Sequence, residues 1–259
     1  MAFSDAELER YARHIVLRGL GGPGQARLKA ASVLVVGAGG LGAPSLMYLA
    51  AAGVGRLTLI DDDIVDLSNL QRQVLFDTAS IGMPKAEAAL QRLQALNPEI
   101  ALHAHQVRLD AGNAAELIAG HDLVLDGSDS YATRAVVNAA CVAERVPLIA
   151  AALGSWEGQI SLYAPHLGAP CFACLFPEPP APGQVPACAE AGVLGALAGI
   201  MGSMMAAEAV KFLSGAGTTL AGRLLIYDGL LAETQIFAVE RRPDCPICGA
   251  TAAADPPGQ

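Results

Sequence analysis

The chain has 259 residues, 16 Lys and Arg against 25 Asp and Glu, and a formal net charge of −9 at pH 7. With 53% hydrophobic and 16% charged residues it is not a disordered chain, and it is long enough to bury a core without covalent staples. The acidic balance excludes nucleic acid as the main partner, and six cysteines are too sparse for a secreted disulfide scaffold. The stretch from Met1 to His14 carries Asp5, Glu7, Glu9, Arg10 and Arg13 and no apolar run of signal-peptide type, so a cytoplasmic protein is expected. Ser4 and Glu7 form an S-x-x-E capping box that predicts a helix running to about Leu17, and the Gly19–Gly24 cluster is expected to break it. An unbroken apolar strand at Val33–Val36 leads through a glycine-rich turn into a helix from about Leu41 to Ala52. Pro44 lies in the first turn of that helix, where no intrahelical donor is lost. A strand at Leu57–Ile60 and a helix opened by Pro84 and closed by Asn97-Pro98 follow. Strands at Ile100–His105, Leu123–Leu125 and Pro147–Ala150 and a helix across Thr133–Glu144 complete this part. Apolar strands alternating with helices predict a parallel sheet covered on both faces.

After residue 156 the pattern changes. Gln159–Tyr163 and Leu224–Tyr227 suit hairpin or edge strands, which makes the sheet mixed. Pro177, Pro179, Pro180, Pro182 and Pro186 mark an irregular crossover. Ala191–Ala207 is seventeen residues without a charge, short of the about 20 that a bilayer span needs. Its Gly195–Gly199 pair permits close helix packing, so it reads as a buried core helix and no membrane is expected. The tail after Gly249 is Ala, Pro and Gly, and is expected to be disordered.

Gly37-Ala38-Gly39-Gly40-Leu41-Gly42 satisfies G-x-G-x-x-G between a predicted strand and a predicted helix, where backbone N–H groups and a helix N-terminus meet a phosphate. Asp61 closes the next strand nineteen residues after Gly42, the place of a carboxylate that grips ribose hydroxyls. By itself this suits an adenine nucleotide, NAD included, or a tight turn with no ligand. Asp62 and Asp63 follow at once; one of the three can hold ribose. Asp66-Leu67-Ser68-Asn69-Leu70-Gln71-Arg72-Gln73 fits poorly with NAD. Arg72 and Lys85 could instead put two cations over a triphosphate, with Ser68, Asn69 and Gln71 as added donors. Asp126-Gly127-Ser128-Asp129-Ser130 stands at the ligand-binding edge of the sheet, where a carboxylate suits Mg²⁺; Asp129 as the cap of the next helix is the alternative. No glycine cluster leads into the Gly-Lys-Ser/Thr of a Walker A loop.

These residues resemble the MoeB/ThiF/HesA adenylyltransferases, bacterial relatives of ubiquitin-activating enzymes. The resemblance is carried by Gly37–Gly42, Asp61, Ser68-Asn69-Leu70-Gln71-Arg72-Gln73, Lys85 and Asp126-x-x-Asp129. Arg10-Tyr11-x-Arg13 and Cys188-x-Glu190-x-Gly192 agree, over about residues 5–249. It implies an α/β fold with a Rossmann-like doubly wound sheet, mostly parallel with antiparallel C-terminal strands. It implies one adenylation domain over 1–249: N-terminal helices at 4–30, a nucleotide-binding half at 31–155, and a carrier-binding and zinc half at 156–249. The tail is 250–259. The implied activity is ATP-dependent adenylylation of the C-terminal carboxylate of a ubiquitin-like sulfur carrier ending in Gly-Gly. Molybdopterin-synthase activation stands ahead of thiamine biosynthesis. Gly37, Gly39, Gly40 and Gly42 would cradle the nucleotide with Gly40 on the phosphates, and Asp61 would hold the ribose. Asp63, Ser68, Asn69, Gln71 and Ser130 would add contacts. Arg72 and Lys85 would neutralise phosphate charge, and Asp129 would bind Mg²⁺. Arg13 matches an arginine that reaches into the neighbouring subunit's site, which implies a homodimer. The family often has Asn where this chain has Ser130, a shorter group. A carboxylate nucleophile is already ionised at pH 7, and none of His14, His103, His105, His121 and His166 falls in these motifs.

Cys171-x-x-Cys174 and Cys245-x-x-Cys248 read as one closed tetrahedral Cys₄ zinc site that clips the C-terminal segment to the crossover. A redox dithiol fits less well, since neither pair follows a thioredoxin-like strand. Cys141 reads as a core filler. Cys188 stays open between a residue that takes over the activated carrier and a bystander. Because the chain stops soon after Cys248, sulfur is expected from a separate cysteine desulfurase or sulfurtransferase. Competing readings are a family relative that adenylates a tRNA-modification substrate or a peptide, an NAD oxidoreductase, and a docking module without activity.

Overall fold

Ser32–Val36 (β1) is buried at all five positions, which requires neighbouring strands on both edges and cover on both faces. The computed structural model, which describes residues 2–181 and 192–249, supplies both. The other strands are Arg56–Ile60 (β2), Ala101–His105 (β3), Leu123–Asp126 (β4), Leu148–Leu153 (β5), Glu157–Tyr163 (β6), Arg223–Asp228 (β7) and Glu233–Ala238 (β8). They form a single eight-stranded sheet of order β3-β2-β1-β4-β5-β6-β7-β8. Pairs from β3 to β5 are parallel, and β6, β7 and β8 are antiparallel. The mixed α/β sheet expected from the sequence is therefore present. β8 had no sequence signature because all six of its residues are exposed, so neither alternation nor an apolar run marks it.

The helices are Asp5–Arg10 (α1), Ala12–Ile15 (α2), Gly21–Ala30 (α3), Gly42–Ala52 (α4), Lys85–Leu96 (α5), Ala114–Ile118 (α6), Tyr131–Ala143 (α7), Phe172–Leu175 (α8) and Gly195–Ser214 (α9). Alternate residues of β1 feed two cores, as a period of two demands. Val33 and Val35 pack with Leu46 and Leu49 of α4 and with Leu197, Met201 and Met205 of α9. Leu34 and Val36 pack with Ile118 of α6 and with Val137 and Cys141 of α7.

Three local expectations need correction. The capping box at Ser4 and Glu7 forms in both directions, yet the helix does not run to Leu17. It breaks at Tyr11 (φ −97°, ψ 10°), whose buried hydroxyl accepts from Asn97 Nδ2 at 2.8 Å. The glycine cluster interrupts the chain only before Gly21; Gly21, Gly22, Pro23 and Gly24 open α3, since a first turn has no intrahelical donors to lose. The cap of α7 is Ser130, whose hydroxyl accepts the Thr133 N–H at 3.1 Å, and not Asp129.

α9 is long and apolar enough to cross a membrane by length and composition. It instead lies along α4, β5 and β6, with Leu197, Ala198, Met201, Met205 and Ala209 shut away from solvent. The close approaches come from Gly195 and Gly202. A Cβ at Gly202 would collide with the Leu41 carbonyl and Pro44, and one at Gly195 with the Gln71 carbonyl, whereas Gly199 has open space. The expected Gly195–Gly199 pair is thus replaced by a pair seven residues apart. Cys188, Pro182, Pro186, Glu190 and the 250–259 tail lie outside the described residues.

Candidate functional site

α4 follows β1 on one face of the sheet and α7 follows β4 on the other, so the chain diverges between these adjacent strands. Such a switch point opens a crevice at the carboxyl edge of an α/β sheet. Here it is a cleft of about 880 Å³, lined by the turns after β1, β2 and β4. Gly37 has φ +85° and its N–H donates to the Ile60 carbonyl at 2.8 Å. Gly42 lies under the turn, where a Cβ would collide with the Gly37 carbonyl. Gly37, Gly39 and Gly40 line the cleft; Gly42 does not. The turn delivers the first N–H groups of α4, and the positive end of its dipole, to the cleft.

Asp61 braces this turn. Its Oδ2 accepts the Ala38 N–H at 2.7 Å and its Oδ1 the Asp63 N–H at 2.9 Å. Burial raises its pKa above the ordinary carboxylate value, while these two N–H groups and Lys85 pull the other way. Lys85 begins α5 and is 4% exposed. Its ammonium would oppose the positive end of that helix, and Asp63 Oδ2 at 2.8 Å compensates it.

The polar run after β2 folds as a 3₁₀ turn, Leu67–Asn69, capped by Asp66. Asn69, Arg72 and Gln73 reach the cleft, and Arg72 Nη1 donates to the Ser68 carbonyl at 3.1 Å. Gln73 is buried with its Oε1 unpartnered among the described residues. Ser68 and Gln71, expected as donors, are not brought to the cleft. The Ser68 hydroxyl donates to Asp66 at 2.6 Å, and Gln71 abuts Gly195.

The turn after β4 carries Asp129, exposed on the cleft wall. Asp126 is fully buried; its Oδ1 accepts the Ser128 N–H at 2.8 Å, and its Oδ2 has no partner among the described residues. A buried carboxylate oxygen in that condition is what a cation or a water satisfies. The chemistry of this turn therefore fits a hard cation. Arg134 Nη2 donates to the Ser128 carbonyl at 2.5 Å and also lines the cleft. Sequence reasoning missed Arg134, although it sits one helical turn past Ser130. It also missed Arg108, Gln159, Tyr131, Phe172, Phe176 and Glu178, which no local motif marks. Arg13 is exposed on α2 and is not among the lining residues of its own chain's cleft.

The four knuckle cysteines meet beside Val142, near the C-terminal end of α7. Their Sγ atoms lie within 4.8 Å of one another, with Cys171–Cys174 at 3.9 Å, Cys171–Cys245 at 3.6 Å and Cys174–Cys248 at 3.4 Å. A disulfide needs about 2.05 Å; Zn–S bonds of about 2.3 Å put tetrahedral sulfurs about 3.8 Å apart. The cluster is buried; burial pushes the thiols of Cys171 and Cys174 up, while N–H groups and neighbouring thiols bring Cys245 down to about 7. The geometry is compatible with zinc. Cys141 stands apart in the core.

The ThiF family model matches residues 11–247. The chain is 51% identical over 253 residues to a sulfur carrier protein adenylyltransferase of Thermus thermophilus, covering 96% of this chain and 93% of that protein. It is 45% identical over 249 residues to the molybdopterin-synthase adenylyltransferase of Escherichia coli, covering 95% and 98%. The crystal structure of E. coli MccB with ATP superposes with a TM-score of 0.81 over 93% of this chain and 74% of that one. At 24% identity that last likeness speaks for the fold alone.

Proposed function

This chain belongs to the ThiF family, and on that premise we propose that it adenylylates the C-terminal carboxylate of a small ubiquitin-like sulfur carrier ending in Gly-Gly. A carrier of MoaD type stands ahead of one of ThiS type. The carboxylate attacks the α-phosphorus of ATP, the bond from that phosphorus to the bridging oxygen breaks, and pyrophosphate leaves. The product is a carrier acyl-adenylate, ready for a sulfur nucleophile from a separate cysteine desulfurase or sulfurtransferase. The attacking group is ionised at neutral pH, so no side chain has to take a proton. A cleft with cations and backbone N–H groups and no histidine among its described lining residues suits that chemistry, which rests on positioning and charge neutralisation.

Gly39 and Gly40 receive the phosphates on backbone N–H groups, Gly37 shapes the turn with its own N–H held by the Ile60 carbonyl, and Asp61 orients the ribose. Arg72 and Lys85 offset the charge that builds on the leaving pyrophosphate, Lys85 being held at the cleft wall by Asp63. Asp129 would hold Mg²⁺, which would supply charge neutralisation at the phosphates. Cys171, Cys174, Cys245 and Cys248 would hold zinc in a closed shell, which supplies folding energy and leaves no open position for chemistry. Arg13 acts in the cleft of a second copy, so the working unit is a homodimer. Reduced thiols suit the cytoplasm.

The reading is carried by one observation: Gly37, Gly39, Gly40, Asp61, Arg72, Lys85 and Asp129 come from separate stretches of chain and line one cleft. ATP–pyrophosphate exchange with candidate Gly-Gly carriers, with mass detection of carrier–AMP, tests it. Carrier-dependent exchange and the adduct are expected. No exchange with any carrier, together with tight NAD binding, would overturn the assignment. A trapped covalent carrier–enzyme adduct would give Cys188 its role.

A further inference from the structure

α7 touches both sites. Its first turn adjoins Asp129 and Ser130 at the cleft and carries Arg134. Its other end packs Val142 into the cluster formed by Cys171, Cys174, Cys245 and Cys248. Its thirteen residues span about 20 Å at 1.5 Å each. α8 is the second connection. It is only four residues long, Phe172–Leu175, too short to hold its shape unaided, and Cys171 and Cys174 bracket Phe172.

Between these cysteines, Phe172 points toward the cleft rather than the metal cluster. It lines the cleft while being 5% exposed. Its ring lies 5.8 Å from that of Tyr131, 5.9 Å edge-on to Tyr163 and 5.0 Å from Phe176. Its N–H donates to the buried Asn138 Oδ1 on α7 at 2.9 Å, and the Tyr131 hydroxyl donates to the Phe176 carbonyl at 3.0 Å. Tyr131 is therefore held by its ring and by its hydroxyl, and Asn138 ties the next turns of the same helix. Two residues before Tyr131 stands Asp129.

We propose that the cysteine cluster, when it holds zinc, positions the cleft as well as clipping the C-terminal segment, and that Phe172 is the positioning residue that transmits this to the first turns of α7 and so to Asp129. Zinc fixes Cys171 and Cys174, these fix α8, and α8 presses Phe172 against Tyr131 and its N–H against Asn138. Stripping the metal frees α8, and the α7 end nearest the cleft loses its lateral support.

The test is amide hydrogen exchange on the full chain, which needs no substrate and no knowledge of the carrier. Metal analysis is expected to find zinc in the wild-type protein. Removing it with a chelator is expected to raise exchange at 133–138 about tenfold, equivalent to about 1.4 kcal/mol of local opening. Zinc-loaded Phe172→Ala is expected to keep 245–248 protected and to show the same rise at 133–138. If that variant does not fold, Phe172→Leu and the wild-type chelation experiment carry the test. Wild-type protection at 133–138 in the zinc-loaded variant, or no change there on stripping, overturns the proposal. A wild-type protein that holds no metal overturns the zinc reading beneath it, and none of these outcomes bears on adenylylation.

Discussion

Lys85 shows at the scale of a residue how the cleft concentrates positive charge in an acidic chain. It is 4% exposed, at the start of a helix, with Asp63 as its ion-pair partner. Desolvating a lone ammonium there would cost several kcal/mol. Asp63, which stays mostly in water, reduces that cost without burying a second charge. A phosphate arriving beside Lys85 would meet a cation and a helix N-terminus together. Lys85→Ala and Arg72→Ala should each lower pyrophosphate exchange by about 100-fold or more, with the zinc content unchanged. Normal exchange in both variants would remove them from the phosphate site. Arg134 holds the Ser128 carbonyl and serves the same cleft by shaping the Asp129 turn.

Among the elements, α9 owes its place to shape more than to hydrophobicity. A helix this apolar meets the compositional test for a membrane span, yet Gly202 lets it sit on the Leu41 carbonyl and Pro44, just beside the glycine turn. Gly202→Ala should therefore force the helix outward and destabilise the fold by about 1–3 kcal/mol, the usual cost of overpacking. Gly199, in the same helix with nothing near its Cβ position, predicts the opposite sign: Gly199→Ala should stabilise by up to about 1 kcal/mol. Urea unfolding of the two variants checks both. Equal effects would mean that the close approach at Gly202 carries no energetic weight.

For the whole molecule, the exposed Arg13 and the cleft are separate features of one chain, and the joint use proposed for them would need a second copy. α2 sits on α3 through the His14–Gln25 contact at 3.1 Å, and Gln25 Nε2 donates to the Ala52 carbonyl at 2.8 Å. The arm is thus held to its own body with Arg13 facing outward. If Arg13 serves a partner's cleft, Arg13→Ala and Lys85→Ala should each be inactive alone. Co-expressed, they should recover about one quarter of wild-type exchange, since half the dimers are mixed and each mixed dimer has one complete site. Activity no greater than that of the separate variants would mean that Arg13 does not act in trans.

Some of this was determined by the sequence itself. G-x-G-x-x-G, the Ser68–Gln73 run, Lys85 after Pro84 and the two C-x-x-C pairs are local arrangements, and short-range geometry dictates what each can do. The buried strands were legible for the same reason, because cover on both faces leaves an apolar run. The tertiary structure alone decided which members of the motifs face the cleft: Asn69, Arg72 and Gln73 do, Ser68 and Gln71 do not. It alone broke the first helix at Tyr11, by giving that hydroxyl to Asn97 eighty-six residues away. It also set Phe172 between the cysteine cluster and Asp129. Those outcomes depend on contacts between residues far apart in sequence, where no periodicity or spacing records the neighbour. Composition gave an acidic chain with sparse cysteines; folding gathered Arg72, Lys85, Arg108 and Arg134 around one cleft and four cysteines around one point.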